Sequence, residues 1–305
     1  MIFINKNICE LGCYEADHEF RVVTKDYEYK QFNSDFIYLK CRNCGNLLLD
    51  AIPDISEVKN IYPNSYGAYD SNNFGFFGQL ARNFAASFKL NRILKNKNKN
   101  EIHKAIEFGC GSQPLITKLK EKIGCSITLC DIYLNTNIFA DKFIQGNLED
   151  EITKIEEKFD LIVFNQVIEH LCRPKQFLDN CNRILNDGGL LYFETPNVNG
   201  YDSTLFTKAG LWGGLHAPRH FTIFNDESIK KNLQLDYKHI SIGNLFNPFM
   251  LNESVKNLIE VKGWIRFKGF FKLSNPMVLV SYIALDIMAM MIGFKTGNMN
   301  VICKK

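Results

Sequence analysis

The strongest constraint on the fold is an alternation of short apolar runs and amphipathic segments over residues 101–243. This alternation is typical of repeated βα units, in which helices cover both faces of a parallel sheet. Strands are predicted at AIEF (105–108), SITLC (126–130), KFIQ (142–145), DLIVF (160–164), GLLYFE (189–194) and KHISI (238–242). Helices are predicted at 113–122, 150–157, 174–186 and 226–234. The pattern predicts an α/β fold with a mostly parallel sheet.

Other zones flank this region, and a length of 305 residues allows about two domains. Residues 1–60 are strand-like and carry paired cysteines, whereas residues 61–100 run from a Tyr/Asn/Gly-rich loop into a helical stretch. We therefore expect a small module at 1–60, a linker and helix at 61–100, and a catalytic domain at 101–305. An apolar helical insertion at 244–297 is expected before the last strand of that domain.

A glycine turn follows the first strand of the alternating zone. Gly109 and Gly111 let the backbone turn tightly and approach a ligand, although a plain tight turn is the structural alternative. In open α/β sheets, ligands bind at the carboxyl ends of the strands. A dinucleotide turn would have a third glycine at the position of Pro114, so NAD and FAD are disfavoured. Asp131 could accept ribose hydroxyls there, and Glu107 could pair with a cationic amino group.

The order of several motifs resembles that of the class I S-adenosylmethionine-dependent methyltransferases. These motifs are EFGCGS (107–112), GNLED (146–150), FDLIVFNQVIEHL (159–171) and LNDGGLLYFETPN (185–197). The resemblance implies a Rossmann-like, seven-stranded sheet whose last strand is antiparallel, and S-adenosylmethionine as the cofactor. It implies a cofactor site formed by Glu107, Gly109, Gly111, Asp131, Asn147, Leu148, Asn165 and Gln166.

Two positions depart from the pattern of that family. Gln113 stands where a further glycine is usual, and Asn147 stands where aspartate is frequent. Asparagine can still form hydrogen bonds with adenine, so we expect cofactor binding. The departures keep open the alternative of a zinc-containing binding protein with a non-catalytic methyltransferase fold. A dinucleotide-dependent oxidoreductase is a second alternative, which Pro114 disfavours.

The candidate catalytic residues fall in two segments. Glu169 and His170 follow the fourth strand, where the histidine could take a proton from a substrate, or the pair could only pack the next segment. The loop LWGGLHAPRHFTIF (211–224) contains His216, Arg219 and His220, with Arg219 one of only eight arginines. Arg219 could bind an anionic oxygen in two-point contact. The alternative is a structural loop in which His220 bonds to backbone.

A similar Trp…His-x-Pro-Arg-His…Phe pattern occurs in relatives encoded for polysaccharide and glycolipid assembly. This resemblance implies a small or lipid-linked acceptor, such as a sugar or glycolipid intermediate. We therefore predict methyl transfer from S-adenosylmethionine to an O, N or C atom of such an acceptor.

Two cysteine pairs predict a structural metal site. Cys9 and Cys13 form the first pair, and Cys41 and Cys44, followed by Gly45, form the second. Four thiolates at this spacing can hold Zn²⁺ in a closed tetrahedral site, with unligated thiols or a disulfide as alternatives. The N-terminus has no secretory pattern, and the other cysteines read as buried thiols, so a cytoplasmic location is expected.

A basic and aromatic segment, VKGWIRFKGFFKL (261–273), precedes an apolar run at 277–294. The run is barely long enough to span a bilayer and contains Asp286, a carboxylate that the centre of a spanning helix normally avoids. We therefore predict peripheral contact of 261–294 with the inner face of a membrane. A helical cover of the domain or a homodimer interface are the alternatives. The net charge of +3 is too small to indicate nucleic acid as a partner.

Overall fold

The computed structural model describes residues 3–5, 18–63, 75–111, 115–133 and 138–305, with side chains from 18 onwards except those of 75–83. The first predicted cysteine pair, Cys9 and Cys13, lies outside the described residues, as do Gln113 and Pro114.

The N-terminal part is built from short strands. They are β1 (Phe3–Asn5), β2 (His18–Thr24), β3 (Phe36–Cys41), β4 (Leu47–Leu49) and β5 (Ala51–Pro53). Strand β3 pairs antiparallel with both β2 and β4, and β1 pairs antiparallel with β5. A 3-10 helix, Ile55–Ile61, follows, and Asp54 caps it by accepting a hydrogen bond from the amide of Ser56.

The central region alternates strands and helices as the sequence predicts. In chain order it contains α1 (Gly75–Asn96), β6 (Lys104–Phe108), α2 (Ile116–Ile123), β7 (Ser126–Asp131), β8 (Lys142–Gln145), α3 (Leu148–Lys154), β9 (Phe159–Asn165), α4 (Pro174–Ile184) and β10 (Leu185–Pro196). It continues through α5 (Tyr201–Phe206), β11 (Thr222–Ile223), α6 (Asp226–Leu233), β12 (His239–Asn244), α7 (Pro248–Val261), α8 (Pro276–Met291) and β13 (Asn298–Lys304).

Seven of these strands form one sheet in the order β12-β13-β10-β9-β6-β7-β8. The pairs from β10 to β8 are parallel, and β13 runs antiparallel to both of its neighbours. This topology confirms the predicted Rossmann-like fold with an antiparallel last strand.

The central strand β9 explains why the sheet is buried on both faces. Its side chains alternate between two apolar cores, with Ile162 and Phe164 in one and Leu161 and Val163 in the other. All four are fully buried. A strand covered on both faces is apolar throughout, which is why the run DLIVF is detectable in the sequence. Helix α4 starts with Pro174 at its first turn, where the missing amide hydrogen costs nothing.

Strand β11 joins the N-terminal strands to the catalytic region, a pairing that the sequence does not predict. Thr222 and Ile223 of the 211–224 loop pair antiparallel with Leu48 and Leu47 of β4. The four-stranded sheet therefore has the order β11-β4-β3-β2 and combines two distant parts of the chain. A shared apolar core reinforces the connection, with Val22, Tyr38, Leu47, Trp212, Phe221 and Met250 among its members.

The apolar insertion forms the helices α7 and α8 between β12 and β13. Their facing side chains Leu251, Val278 and Tyr282 make a small separate core. Within the described residues, no helix combines the length and apolarity needed to cross a membrane.

Candidate functional site

A cleft of about 700 Å³ opens at the carboxyl ends of β6, β7 and β9. This is the edge of an open α/β sheet at which ligands bind. All eight residues predicted to hold the cofactor line the cleft: Glu107, Gly109, Gly111, Asp131, Asn147, Leu148, Asn165 and Gln166. His170 lines it too, so the structure brings the predicted base and the predicted cofactor residues together.

The turn after β6 requires glycine for two independent reasons. Gly109 has a φ of +64°, in the left-handed region that side chains disfavour. A Cβ at this position would lie 2.4 Å from Cγ2 of Val167. The backbone at Gly109 therefore passes close to the segment after β9 and leaves the cleft open beside it.

Asp131 holds the same turn from the neighbouring strand. Its Oδ2 accepts a hydrogen bond from the amide of Gly111 at 2.8 Å, and its Oδ1 accepts one from the amide of Tyr133 at 3.1 Å. The carboxylate therefore organises the ligand-binding edge of the sheet.

Glu107 is a buried carboxylate at the bottom of the cleft. Its Oε2 accepts a hydrogen bond from the amide of Ile116, at the start of α2, at 3.0 Å. Burial raises the pKa of Glu107 to about 7, although the hydrogen bonds from Ile116 and Leu115 oppose this shift. A cationic group in the cleft would favour the ionised form, because an opposite charge stabilises a carboxylate in a poorly hydrated site.

The end of β9 presents an unsatisfied acceptor. Oδ1 of Asn165 is buried and finds no hydrogen-bond donor among the described residues. A buried acceptor without a partner destabilises a protein by about 1–3 kcal/mol, so a bound ligand that donates a hydrogen bond would relieve this cost. The residues therefore fit S-adenosylmethionine, whose ammonium group and ribose hydroxyls are donors.

The neighbouring predicted residues have structural partners as well. Gln166 has a φ of +54°, and its side-chain nitrogen donates to Oδ1 of Asn298 at 3.0 Å. Asn147 caps α3, because its Oδ1 accepts from the amide of Glu149 at 2.9 Å. The carboxamide oxygen of Asn147 is therefore occupied by the helix cap. A contact between its carboxamide nitrogen and adenine stays a prediction.

The cleft also contains residues outside the predicted set, and two of them contact polar groups of the site. Lys89 of α1 lines the cleft, and its Nζ lies 2.6 Å from Oε2 of Glu194. Tyr62 also lines it, and its hydroxyl lies 3.1 Å from Nδ1 of His170. A basic residue in an amphipathic helix and a tyrosine after a 3-10 helix have no local signature of function. Only the fold brings them to the carboxyl ends of the strands.

His170 is held in one orientation by the 211–224 loop. Its Nδ1 lies 2.9 Å from the carbonyl oxygen of Arg219. A carbonyl can only accept, so Nδ1 carries the proton and Nε2 is left with its lone pair. Desolvation by burial lowers the pKa of His170 to about 3, and the charge of His216 adds to the shift, whereas the hydrogen bond to the backbone of Arg219 opposes it. The imidazole is therefore neutral at physiological pH and keeps a lone pair at Nε2, although a pKa this low makes it a weak base.

Glu169 and His220 lie behind His170, away from the cleft lining. Oε2 of Glu169 accepts from the hydroxyl of Thr195 at 2.9 Å, whereas Oε1 has no hydrogen-bond partner among the described residues. Burial raises the pKa of Glu169 to about 8. His220 donates from Nδ1 to the carbonyl oxygen of Gly214 at 2.8 Å. This backbone bond matches the structural alternative for the loop.

The same three side chains are the group that could hold a metal ion in the described part of the chain. The ligand atoms of Glu169, His170 and His220 lie within 4.8 Å of one another. Nε2 of His220 is 3.9 Å from Oε1 of Glu169, which is too long for a hydrogen bond. The spacing leaves room for a small cation between them.

His216 extends this cluster towards the N-terminal strands. Its Nδ1 lies 2.6 Å from Oε2 of Glu28, and its ring centroid is 4.9 Å from that of His220. Burial pushes the pKa of Glu28 upwards, but the charge and hydrogen bond of His216 outweigh it and lower the pKa overall. Glu28 has no motif of its own in the sequence, and only the fold identifies it as a partner.

Arg219 faces the N-terminal module instead of the cleft. Its guanidinium is fully buried and binds both carboxylate oxygens of Asp26, at 2.9 and 3.2 Å. It also donates to Oε1 of Gln31 at 3.2 Å and lies 4.5 Å above the ring of Tyr29. The two-point contact predicted for Arg219 therefore exists, but within the chain. Binding of an acceptor by Arg219 stays a prediction, which this pairing disfavours.

Comparisons with known proteins agree with the geometry. A family model described as a methyltransferase domain matches residues 78–235. A ubiquinone biosynthesis O-methyltransferase of Coxiella burnetii is 34% identical over 114 residues, covering 34% of this chain and 48% of the relative. The corresponding protein of Klebsiella pneumoniae is 25% identical over 108 residues, covering 32% and 44%. This chain spans about half the length of the curated relatives it matches.

A solved structure has a similar fold. The plantazolicin methyltransferase BamL, in complex with a triazolic desmethylPZN analog and SAH, is 15% identical to this chain with a TM-score of 0.51. The superposition covers 82% of this chain and 94% of that one. At this identity the likeness concerns the fold alone.

Proposed function

Because this chain belongs to the class I S-adenosylmethionine-dependent methyltransferase family, we propose that it transfers a methyl group to a hydroxyl of a small or lipid-linked acceptor. A sugar or glycolipid intermediate is the first candidate. The observation that carries the proposal is one cleft lined by all eight predicted cofactor residues and by His170.

The cofactor would lie along the carboxyl ends of β6, β7 and β9. Glu107 and Asn165 offer a carboxylate and an unpaired carbonyl oxygen to its ammonium group, and Asp131 offers lone pairs to its ribose. Lys89 could pair with its carboxylate group, because the lysine lines the same cleft. When bound, the cofactor supplies a methyl group on a positively charged sulfur.

The protein supplies alignment and a proton acceptor. Nδ1 of His170 is fixed by the carbonyl of Arg219, so Nε2 can accept the proton of an acceptor hydroxyl as the oxygen gains the methyl group. Glu169 acts as a positioning residue, because its backbone oxygen accepts from the amide of Phe221 at 2.7 Å. Methyl transfer from a sulfonium mostly needs correct alignment, which this rigid cluster favours.

One observation favours oxygen as the methylated atom, because the curated relatives are named as O-methyltransferases. Their printed names also refer to ubiquinone biosynthesis, which makes a lipid-linked aromatic hydroxyl the second candidate acceptor.

We also propose a structural zinc site formed by Cys9, Cys13, Cys41 and Cys44. The second pair is compatible with the site, because Cys41 and Cys44 belong to one tight turn. Gly45, with a φ of +74°, closes that turn by donating its amide to the carbonyl oxygen of Cys41 at 2.8 Å.

The decisive experiment combines cofactor binding with an acceptor panel. Calorimetry should detect S-adenosylmethionine binding, and release of S-adenosylhomocysteine should be followed with nucleotide-linked sugars, polyprenyl-linked sugars and hydroxylated quinols. Binding with turnover of one class supports the proposal. An absence of binding, or binding of NAD in its place, contradicts it.

A further inference from the structure

The outer surface of the insertion is both apolar and basic, and the catalytic site does not use it. In the segment 262–272, Trp264, Ile265 and Phe270 are each more than half exposed. On helix α8, Met277 is 74% exposed and Met291 is 80% exposed. Soluble proteins rarely expose contiguous apolar surface of this kind without a partner. We call residues 262–272 and the outward face of α8 the insertion patch.

Helix α8 buries its one acidic residue and exposes a mostly apolar face. Asp286 points inward, where it accepts from the hydroxyl of Tyr201 and from the amide of Asn247, each at 2.9 Å. The inner side chains Val278 and Tyr282 pack on α7. The inward face of α8 is therefore covered by the rest of the chain, and the outward face carries no charge.

The positive charge of the insertion patch indicates which kind of partner it would bind. Residues 262–294 contain Lys262, Arg266, Lys268 and Lys272, and their only acidic residue is the inward-facing Asp286. Lys268 is paired with Glu260 at 2.6 Å. Among the described residues, no carboxylate lies within salt-bridge distance of the other three basic side chains. Positive charge beside exposed aromatic rings is the composition that favours anionic lipid headgroups.

We propose that the insertion patch docks on an anionic lipid surface. Helix α8 would lie in the plane of the interface with Met277 and Met291 towards the acyl chains, while Lys262, Arg266 and Lys272 contact headgroups. A second copy of this chain fits less well, because a two-fold interface would bring the same basic residues together. This surface is independent of methyl transfer, so either proposal can fail alone.

The catalytic loop is attached to the same insertion. The amide of Gly213 donates to the hydroxyl of Ser254, on α7, at 2.8 Å. A chain bound through the patch would therefore hold the loop that carries His216 and His220 in a fixed relation to the lipid surface. An acceptor with a lipid anchor would then share that surface.

The two tryptophans of the chain provide a direct assay. Trp264 is 55% exposed in the patch, whereas Trp212 is buried at 1%. Adding vesicles of phosphatidylcholine and phosphatidylglycerol should shift the fluorescence emission to shorter wavelength, because only Trp264 changes its surroundings. Trp264→Phe should abolish this shift while retaining flotation with the vesicles.

Charge reversal tests the electrostatic component. The double variant Lys262→Glu/Arg266→Glu should bind these vesicles at least about tenfold more weakly, since each basic residue near an anionic surface contributes substantially. The matched control reverses two exposed lysines on α6, Lys230→Glu/Lys231→Glu, and should bind like the wild type. Both variants should bind S-adenosylmethionine normally in calorimetry, which separates this proposal from that of methyl transfer.

Three outcomes would overturn the lipid proposal. The first is wild-type protein that stays unbound to anionic vesicles at low salt. The second is equal binding of the charge-reversed variant and its control. The third is a stable dimer in sedimentation whose dissociation exposes Trp264, because a second copy would then be the occupant.

Discussion

Arg219 and Asp26 form a two-point ion pair whose side chains are completely buried between the N-terminal strands and the 211–224 loop. Removing one partner of a buried pair leaves an uncompensated charge. We expect Asp26→Asn to lower the free energy of unfolding by about 3–5 kcal/mol, measured by urea denaturation. Lys25→Ala is the matched control, because Lys25 pairs with Asp35 at 3.9 Å on the surface. It should cost about 1 kcal/mol or less; equal losses in the two variants would contradict the assignment.

Gly109→Ala should weaken S-adenosylmethionine binding by about tenfold or more, because the new Cβ would displace Val167 and the turn beside the cleft. Calorimetry measures the dissociation constant. The added variant Val167→Ala should restore part of the affinity, since it removes the clashing methyl group. Gly124→Ala is the control for backbone strain, because Gly124 has a φ of +71° and no atom within 4 Å of the added Cβ. It should reduce stability and leave cofactor affinity unchanged.

Cofactor affinity should depend on pH through Glu107. Burial raises its pKa to about 7, so the free protein holds the proton below that pH and loses it above. If ionised Glu107 binds the ammonium group, the dissociation constant should rise about tenfold between pH 8 and pH 6. Titrations at several pH values check this, and Glu107→Gln should flatten the profile. A wild-type profile as flat as that of the variant would exclude Glu107 as the titrating group.

In the absence of cofactor, ionisation of Glu107 lowers the stability of the folded chain, whereas it is expected to favour cofactor binding. The unfolded chain ionises Glu107 near its ordinary pKa of 4.5, whereas the folded chain does so near 7. Between these values the folded state binds more protons, so the contribution of Glu107 to stability is greatest below pH 4.5. It is lost progressively as the pH rises to about 7. The difference in unfolding free energy between wild type and Glu107→Gln should follow this direction.

His170→Asn should lower kcat by about 10²–10⁴-fold if Nε2 accepts the hydroxyl proton. The affinity for S-adenosylmethionine should stay near the wild-type value, because the predicted cofactor contacts are made by other residues. His239→Asn, at an exposed position of β12, is the control and should retain full activity. A kcat for His170→Asn within about threefold of wild type would exclude the base role.

Purified protein should contain about one equivalent of zinc by elemental analysis. Cys41→Ser and Cys44→Ser should each lose the metal and destabilise the N-terminal strands. Cys125→Ser is the control, since Cys125 is a buried thiol between α2 and β7 and should leave the zinc content unchanged. Less than about half an equivalent in the wild type would argue against the site.

The features that could be predicted from the sequence are those with a local signal. The apolar run of β9 reports burial on both faces of the sheet, and the glycines after β6 report a backbone that must approach a ligand. The eight cofactor residues are predictable because the resemblance to the methyltransferase family implies them, and they lie at or just after strands whose carboxyl ends reach the same edge.

The remaining features depend on contacts between distant parts of the chain. Arg219 and Asp26 are separated by 193 positions, so no periodicity connects them. Arginine is scarce in this sequence, which makes Arg219 conspicuous. The residue type alone, however, does not indicate whether Arg219 binds a ligand anion or an internal carboxylate. Similarly, Tyr62 and Lys89 reach the cleft only through packing.

The pairing of β11 with β4 connects the histidine cluster to a contact between distant parts of the chain. Thr222 must find Leu48 across most of the chain, and closing so long a loop costs entropy before any contact repays it. His216 and His220 belong to the segment that this pairing anchors. Local opening of the four-stranded sheet would therefore release the histidine cluster while the seven-stranded sheet stays folded. The rate of amide hydrogen exchange at Leu47 and Leu48 would measure how often the cluster is released.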